Sequence, residues 1–279
     1  MPATKLYRDQ LGREVSIPYP PRRIISLVPS QTELLYDLGL DEEVIGITKF
    51  CIHPDEWFRN KTRIGGTKQL HLEQILALQP DLVIANKEEN TQEQVQYLMQ
   101  HLPVWVSDIH SLDEALDMIR SIGNITGKSE RGNEIADNIS RSFRQIEATI
   151  QDQTPLRTAY FIWREPWMVA GGDTFIHTML GYCQLENIFA GTDRYPAINI
   201  DQLSASDCQL VLLSSEPYPF KEKHIAALRE ELPGIRIELV DGEMFSWYGS
   251  RLEKAAAYLR KLRERLWQND PSDMLTGTR

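Results

Sequence analysis

The chain has 279 residues, 42% apolar and 25% charged, with 40 acidic against 30 basic side chains and a formal net charge of -10. That length is comfortable for two lobes, and the composition excludes a disordered chain. The acidic balance argues against nucleic acid as the main partner and suits a surface that meets a basic patch elsewhere.

Tyr7 to Ile17 reads as a hairpin with Gly12 at its turn. Ile24 to Val28 is a continuous apolar run, the mark of a strand buried on both faces, and Pro29-Ser30 ends it. Thr32 to Leu38 follows as a helix stopped by Gly39, and Val44 to Thr48 as the next strand. Leu72–Leu78 is a short helix, Leu82–Ala85 a strand, Thr91–Leu102 a helix and Val104–Val106 a strand. This alternation predicts a parallel α/β sheet. Ser111 faces Glu114 in a capping box that opens a helix to Ile125.

Ser129 to Gln153 then carries a stripe at Ile135, Ile139, Phe143, Ile146 and Ile150, with Ser129 as its cap and Pro155 beyond its end. A helix of that length spans about 33 Å. We read it as a stiff backbone between lobes. After it the strand–helix alternation restarts with strands at Thr158–Trp163, Leu210–Ser214 and Ile235–Val240 and helices at Asp173–Tyr182, Asp201–Ser206, His224–Glu231 and Gly249–Trp267. The tail from Asn269 to Arg279 reads as frayed. The expected architecture is α/β: two Rossmann-like lobes with central parallel sheets, joined by one long helix, with a ligand cleft between the lobes. The divisions fall at 1–110, 111–155 (the linking helices, including the backbone helix 129–153) and 156–279.

An internal repeat supports two related halves. Leu72-Glu73-Gln74-Ile75-Leu76-Ala77 precedes Asp81-Leu82-Val83-Ile84, and Ile200-Asp201-Gln202-Leu203-Ser204-Ala205 precedes Gln209-Leu210-Val211-Leu212, an offset of 128 throughout (200 less 72). Convergence of short helix–turn–strand units is the competing explanation, since acidic first turns are favoured by the helix dipole. If the repeat is real, Glu73 and Asp201 are matched exposed carboxylates, one per lobe.

Catalytic signatures are missing: there is no GxGxxG, no GxxxxGK[ST] and no GxSxG. The chain is read as a binder and not an enzyme. Gly171-Gly172-Asp173-Thr174 precedes a helix and has two readings, an anion site on free N–H groups or a tight strand-to-helix turn, and the turn is preferred. Cys51, Cys183 and Cys208 form no CxxC and allow at most one disulfide; three buried thiols is the preferred reading. The six histidines include no helical i, i+4 pair, so no metal site is assigned. No apolar run of ~7–15 residues lies in the first 23 residues, so no signal peptide is read. No run approaches the ~18 residues of a membrane span.

The segments Ile24-Ile25-Ser26-Leu27-Val28-Pro29-Ser30-Gln31-Thr32-Glu33-Leu34, Leu72 to Ala85 (LEQILALQPDLVIA) and Glu186-Asn187-Ile188-Phe189 resemble the helical-backbone solute-binding proteins of ABC importers. These are the class III proteins of the cobalamin and siderophore type, and the likeness runs from Tyr7 to about Leu266 and is nearest to the cobalamin-binding branch. The resemblance implies a monomer with no intrinsic cofactor that carries a corrinoid as transported ligand to a membrane permease dimer, docking through Glu73 and Asp201. It implies a periplasmic or cell-surface location; with no signal peptide read, a cytoplasmic one stays open. Haem, a ferric siderophore or a metal ion are the alternative ligands of the same fold, and an enzyme of unknown reaction is the remaining one.

Parallel sheets bind ligands beyond the carboxyl ends of their strands, and flat rings there suit a macrocycle. The residues assigned to the ligand are Pro29, Phe50, His53, Trp163, Arg164, Trp167, Tyr195, Trp247, Tyr248 and Arg251. Pro29, Phe50 and Tyr195 match cleft positions of the cobalamin branch, whereas Thr67 and Asn86 depart from it where tryptophans are expected. His53 has two readings, an axial ligand to a corrin metal or a loop histidine bonded to backbone, and the second is preferred.

Overall fold

In the computed structural model, residues 3–149 and 154–268 are described. The chain opens with an antiparallel hairpin of β1 (Thr4–Arg8) and β2 (Glu14–Pro18), turning at Gly12, whose φ of 79° is one that side-chain-bearing residues avoid. Then come β3 (Ile24–Ser26), α1 (Pro29–Asp37), β4 (Val44–Ile47), α2 (Asp55–Asn60), β5 (Thr62–Arg63), α3 (Leu72–Ala77), β6 (Leu82–Asn86), α4 (Gln92–Met99), β7 (Val104–Ser107), α5 (Leu112–Ile125) and α6 (Ser129–Glu147). The remaining elements are β8 (Leu156–Trp163), β9 (Trp167–Val169), α7 (Phe175–Tyr182), β10 (Leu185–Asn187), β11 (Ala197–Ile198), α8 (Asp201–Ser204), β12 (Leu210–Ser214), α9 (Glu222–Glu231), β13 (Arg236–Val240), α10 (Glu243–Ser246) and α11 (Leu252–Gln268).

Two compact units result. The first takes residues 1–140 together with Trp247–Leu252, the second residues 141–246 and 253–279. The division therefore falls inside α6, and six residues from far along the chain belong to the first unit.

In the first unit the strands are parallel in the order β5-β4-β3-β6-β7. The chain order reverses between β3 and β6, so a crevice opens beyond their carboxyl ends. Ile24, Ile25, Leu82, Val83 and Ile84 are buried, as the unbroken apolar runs predict for strands covered on both faces. The capping box of α5 forms as predicted: Glu114 N donates to Ser111 Oγ at 3.3 Å and Ser111 N to Glu114 Oε2 at 2.9 Å.

The second unit has the order β11-β9-β8-β12-β13, with β10 also pairing β8. β8 is the hub. Its first residues pair in parallel with β10 and its last with β9 in an antiparallel hairpin, while β12 runs parallel along its other side. The core of this unit gathers Phe161, Val169, Leu203, Val211, Leu213, Leu228 and Ile237.

Five expectations need correction. α6 begins on Ser129 itself, so Ser129 is its first residue and no cap, and the helix ends at Glu147. Arg263 explains that end: its guanidinium donates to the carbonyls of Ile146 at 3.3 Å and Thr149 at 3.1 Å, satisfying groups a further turn would have used. Residues 150–153, including Ile150 of the stripe, and the tail from 269 lie outside the described residues; Ile135, Ile139, Phe143 and Ile146 are buried as expected. Pro29, expected at the end of the first strand, is the first residue of α1, where its missing N–H leaves no unused donor. Trp167 belongs to strand β9, and Met244-Phe245-Ser246 to the short helix α10, where loops were expected.

Candidate functional site

The repeat reappears in the strands: β6 spans 82–86 and β12 spans 210–214, again 128 apart at both ends (210 less 82, 214 less 86). Glu73 and Asp201 each occupy the first turn of the short helix before that strand, and both are exposed. The His71 side chain does not cap α3; its Nδ1 lies 3.2 Å from Gln74 Oε1.

In the first unit, the loop after β4 carries Lys49, Phe50 and His53. Phe50 is 51% exposed, a large apolar ring left open to solvent. The loop beneath it is fixed by a buried network that sequence reading missed. Thr32 Oγ1 donates to Ser26 Oγ at 2.8 Å, and the hydroxyls of Thr32 and Thr48 each lie 3.1 Å from Cys51 Sγ. Burial pushes the Cys51 thiol pKa up, so it stays protonated and acts as a packed hydrogen-bonding group. Cys183 and Cys208 are also free and buried, with thiols pushed up for the same reason.

The segment 247–252 docks onto α1. A Cβ at Gly249 would stand 2.4 Å from the Ser30 carbonyl oxygen, so only glycine allows this approach. Arg251 Nε donates to Glu33 Oε2 at 2.7 Å and Nη2 to Oε1 at 2.8 Å, both side chains buried. Its guanidinium carbon lies 4.6 Å from the centroid of Trp247, and the Trp247 ring meets His53 edge-on at 5.5 Å. Trp247 is only 6% exposed and Tyr248 is buried. His53, Trp247 and Arg251 are thus brought together, and Arg251 is committed to Glu33.

The loop after β6 is latched by two asparagines. Asn86 Nδ2 donates to Ser107 Oγ at 3.0 Å, and its Oδ1 accepts from the N–H groups of Glu88 at 2.8 Å and Glu89 at 3.0 Å. Asn90 Oδ1 accepts from Asn86 N at 2.9 Å, while its Nδ2 donates to the carbonyls of Leu27 and Thr67. Where the resemblance implied tryptophans at Thr67 and Asn86, the chain has a polar hydrogen-bond latch. Desolvation raises the Glu89 carboxyl pKa.

In the second unit, Trp163 ends β8 and is 40% exposed. It meets Tyr218 edge-on at 5.7 Å. Trp167 stacks on Phe220 at 6.1 Å and 5°, and Arg164 places its guanidinium 5.5 Å from the Trp167 ring. Tyr195 follows Arg194, whose carbonyl accepts from Gly171 N at 2.8 Å. Tyr218, Phe220 and His224 were not singled out from sequence, although the Glu216-Pro217-Tyr218-Pro219-Phe220 run after β12 was the signal. Gly171 and Gly172 spend their N–H groups on the Arg194 and Thr192 carbonyls, both at 2.8 Å, which supports the tight turn over an anion site. Among the described residues, no group of three or more His, Cys, Asp or Glu is placed to hold a metal ion, and no helix is long and apolar enough to cross a membrane.

Known proteins share this architecture. A vitamin B12-binding protein of Vibrio parahaemolyticus is 26% identical over 219 residues, 78% of this chain and 79% of that one. One from Pectobacterium carotovorum is 25% identical over 240 residues, covering 85% and 86%. Among solved structures, the periplasmic vitamin B12 binding protein BtuF of Vibrio cholerae superposes with a TM-score of 0.78 at 22% identity, covering 90% of this chain and 99% of that one. The molybdate periplasmic binding protein MolA of a Haemophilus influenzae ABC transporter gives 0.76 at 16% identity, covering 95% and 91%. The model of one family, described as periplasmic binding protein, matches residues 24–232, and the chain belongs to that family.

Proposed function

We propose that this chain binds a corrinoid of the cobalamin type and delivers it, from the periplasm or the cell surface, to the permease of an ABC importer. It acts by binding and release, without chemistry on the ligand. The observation that carries this reading is the pair of open aromatic rings, Phe50 and Trp163, each just past the carboxyl end or at the last residue of a parallel strand. Solvent-exposed rings cost free energy unless a ligand covers them, and a corrin offers broad apolar faces. The vitamin B12-binding relatives support the ligand class.

Phe50 and Trp163 are proposed as direct contacts, with Pro29, His53, Arg164, Trp167 and Tyr195 beside them. Trp247, Tyr248 and Arg251 are assigned supporting roles on the first unit's side, since all three are buried. For His53 we retain a second-tier role: its ring packs on Trp247, and approach to a corrin metal is an outcome to be read from the ligand's spectrum. Titration of the purified protein with cyanocobalamin is expected to quench tryptophan fluorescence and saturate at one equivalent. No quenching and no calorimetric heat would overturn the corrinoid reading; saturation by haem in its place would select the alternative ligand.

A further inference from the structure

The loops beyond the carboxyl ends of β4, β5 and β6 carry three lysines. Lys87 pairs with Asp108 at 2.6 Å, and Lys68 donates to the Glu88 carbonyl. Lys49 differs from both: among the described residues its ammonium makes neither an ion pair nor a hydrogen bond, and it lies 5.1 Å from the centroid of the open Phe50 ring.

Its place is built by the backbone. Lys49 N donates to the Gly65 carbonyl at 2.8 Å. A Cβ at Gly66 would stand 3.0 Å from Phe50 Cε2 and 3.2 Å from Lys49 Cε. The aromatic ring and the lysine stem therefore lie side by side on a bare stretch of main chain, which a larger residue would push away. A cation over a ring is attracted to its π face, and half the ring stays open beside it. In a chain of net charge -10, an un-neutralised cation next to an open ring fits a ligand with a flat apolar face and an acidic group at its edge. Arg164 does not offer the same, since Glu165 lies 3.6 Å away.

We propose that Lys49, seated on Gly66 beside Phe50, is a specificity-determining residue that receives an ionised carboxylate on the rim of a planar macrocycle. This rests on the corrinoid reading above and deepens it: among corrinoids, those with free carboxylates are preferred over those with a neutral rim.

The test compares cobyrinic acid with its heptamethyl ester, which share a macrocycle and differ in rim charge, with cyanocobalamin alongside. Binding is read by fluorescence quenching with wild type, Lys49→Gln, Lys49→Arg and Phe50→Leu. A partly desolvated charge-assisted contact predicts roughly a three- to tenfold preference for the acid, narrowed at about 0.5 M salt. Lys49→Gln should abolish the preference, Lys49→Arg should keep it, and Phe50→Leu should weaken both probes alike. If both probes bind and Lys49→Gln leaves their ratio unchanged, the role of Lys49 is overturned while the corrinoid reading stands. If neither probe nor cyanocobalamin binds, both fall.

Discussion

Glu33 and Arg251 stand 218 positions apart in the chain, yet they form a two-pronged ion pair at 2.7 and 2.8 Å with both side chains buried. The pair fastens the segment 247–252 to α1, and through Trp247 it sets the surface against which His53 packs. Sequence reading assigned Arg251 to the ligand. The geometry gives its charge to Glu33. Breaking a buried pair leaves one charge without compensation, a loss of about 3–5 kcal/mol. Arg251→Met alone is expected to lose that much in urea unfolding, and the double variant with Glu33→Leu to recover most of it. Equal losses in the single and double variants would show that the pair is not coupled in this way.

Gly172 sits where a Cβ would meet the Ala190 carbonyl oxygen at 2.0 Å. Gly172→Ala forces main chain apart, and an overpacking loss of about 1–3 kcal/mol or more follows. Gly181 provides the contrast: it lies in α7 with nothing within 4 Å of its Cβ position. Gly181→Ala is expected to stabilise by up to about 1 kcal/mol through helix propensity. Thermal melting of the two variants should shift in opposite directions.

His224 links stability to pH. Its Nδ1 accepts from Lys221 N at 2.8 Å, and its Nε2 lies 3.4 Å from the Tyr218 hydroxyl. Burial, followed by the charges of Lys223, Arg164 and Lys221, lowers its pKa from 6.5. The unfolded chain therefore binds this proton more readily than the folded one. The contribution is complete above the unfolded value of about 6.5 and is lost as pH falls from there toward the lowered folded value. The unfolding midpoint should drop across that window in wild type. His224→Gln, which keeps an acceptor for Lys221, should flatten the drop, and an unchanged slope would reject the assignment.

Glu73 and Asp201 open the short helices before β6 and β12, strands that match at an offset of 128 at both ends. We propose that each carboxylate meets a basic residue of one permease subunit. Glu73→Ala with Asp201→Ala should weaken association with the permease in detergent by about tenfold or more if each contact contributes ~1 kcal/mol. Ligand affinity should not change. Unaltered permease binding in the double variant would remove the docking role.

Most of the fold could be read from the chain because its signals are local. Unbroken apolar runs such as Leu82–Ala85 are long enough to mark strands, and the Ser111–Glu114 box marks a helix start. The elements that escaped are short or defined by distant partners. β9 holds three residues that are a strand only because β8 and β11 pair with them from either side, and β10 depends on the first residues of β8. Trp167 looked like a loop residue because its charged neighbours Arg164 and Glu165 obscured the hairpin. The end of α6 was misjudged because Arg263, more than a hundred positions away, supplies the cap.

The candidate site divides along the same line. Exposure of Phe50 and Trp163 followed from aromatic residues near strand ends, a pattern visible in sequence. The Glu33–Arg251 pair, the hydroxyl–thiol network around Cys51 and the Asn86–Asn90 latch join separate segments, with Thr32 and Cys51 19 positions apart, Asn90 and Leu27 63, and Glu33 and Arg251 218, which no local pattern announces. Tyr218 and His224 belong to this group too, since their meaning comes from Trp163 on a neighbouring strand.

We propose that a corrinoid covers the open rings of Phe50 and Trp163. Protein soaked with cyanocobalamin, desalted and examined by visible absorbance tests it most directly. The desalted protein is expected to show the corrin spectrum at one equivalent per chain, reduced when Phe50 and Trp163 are both changed to Ala. A desalted protein without corrin absorbance would contradict it.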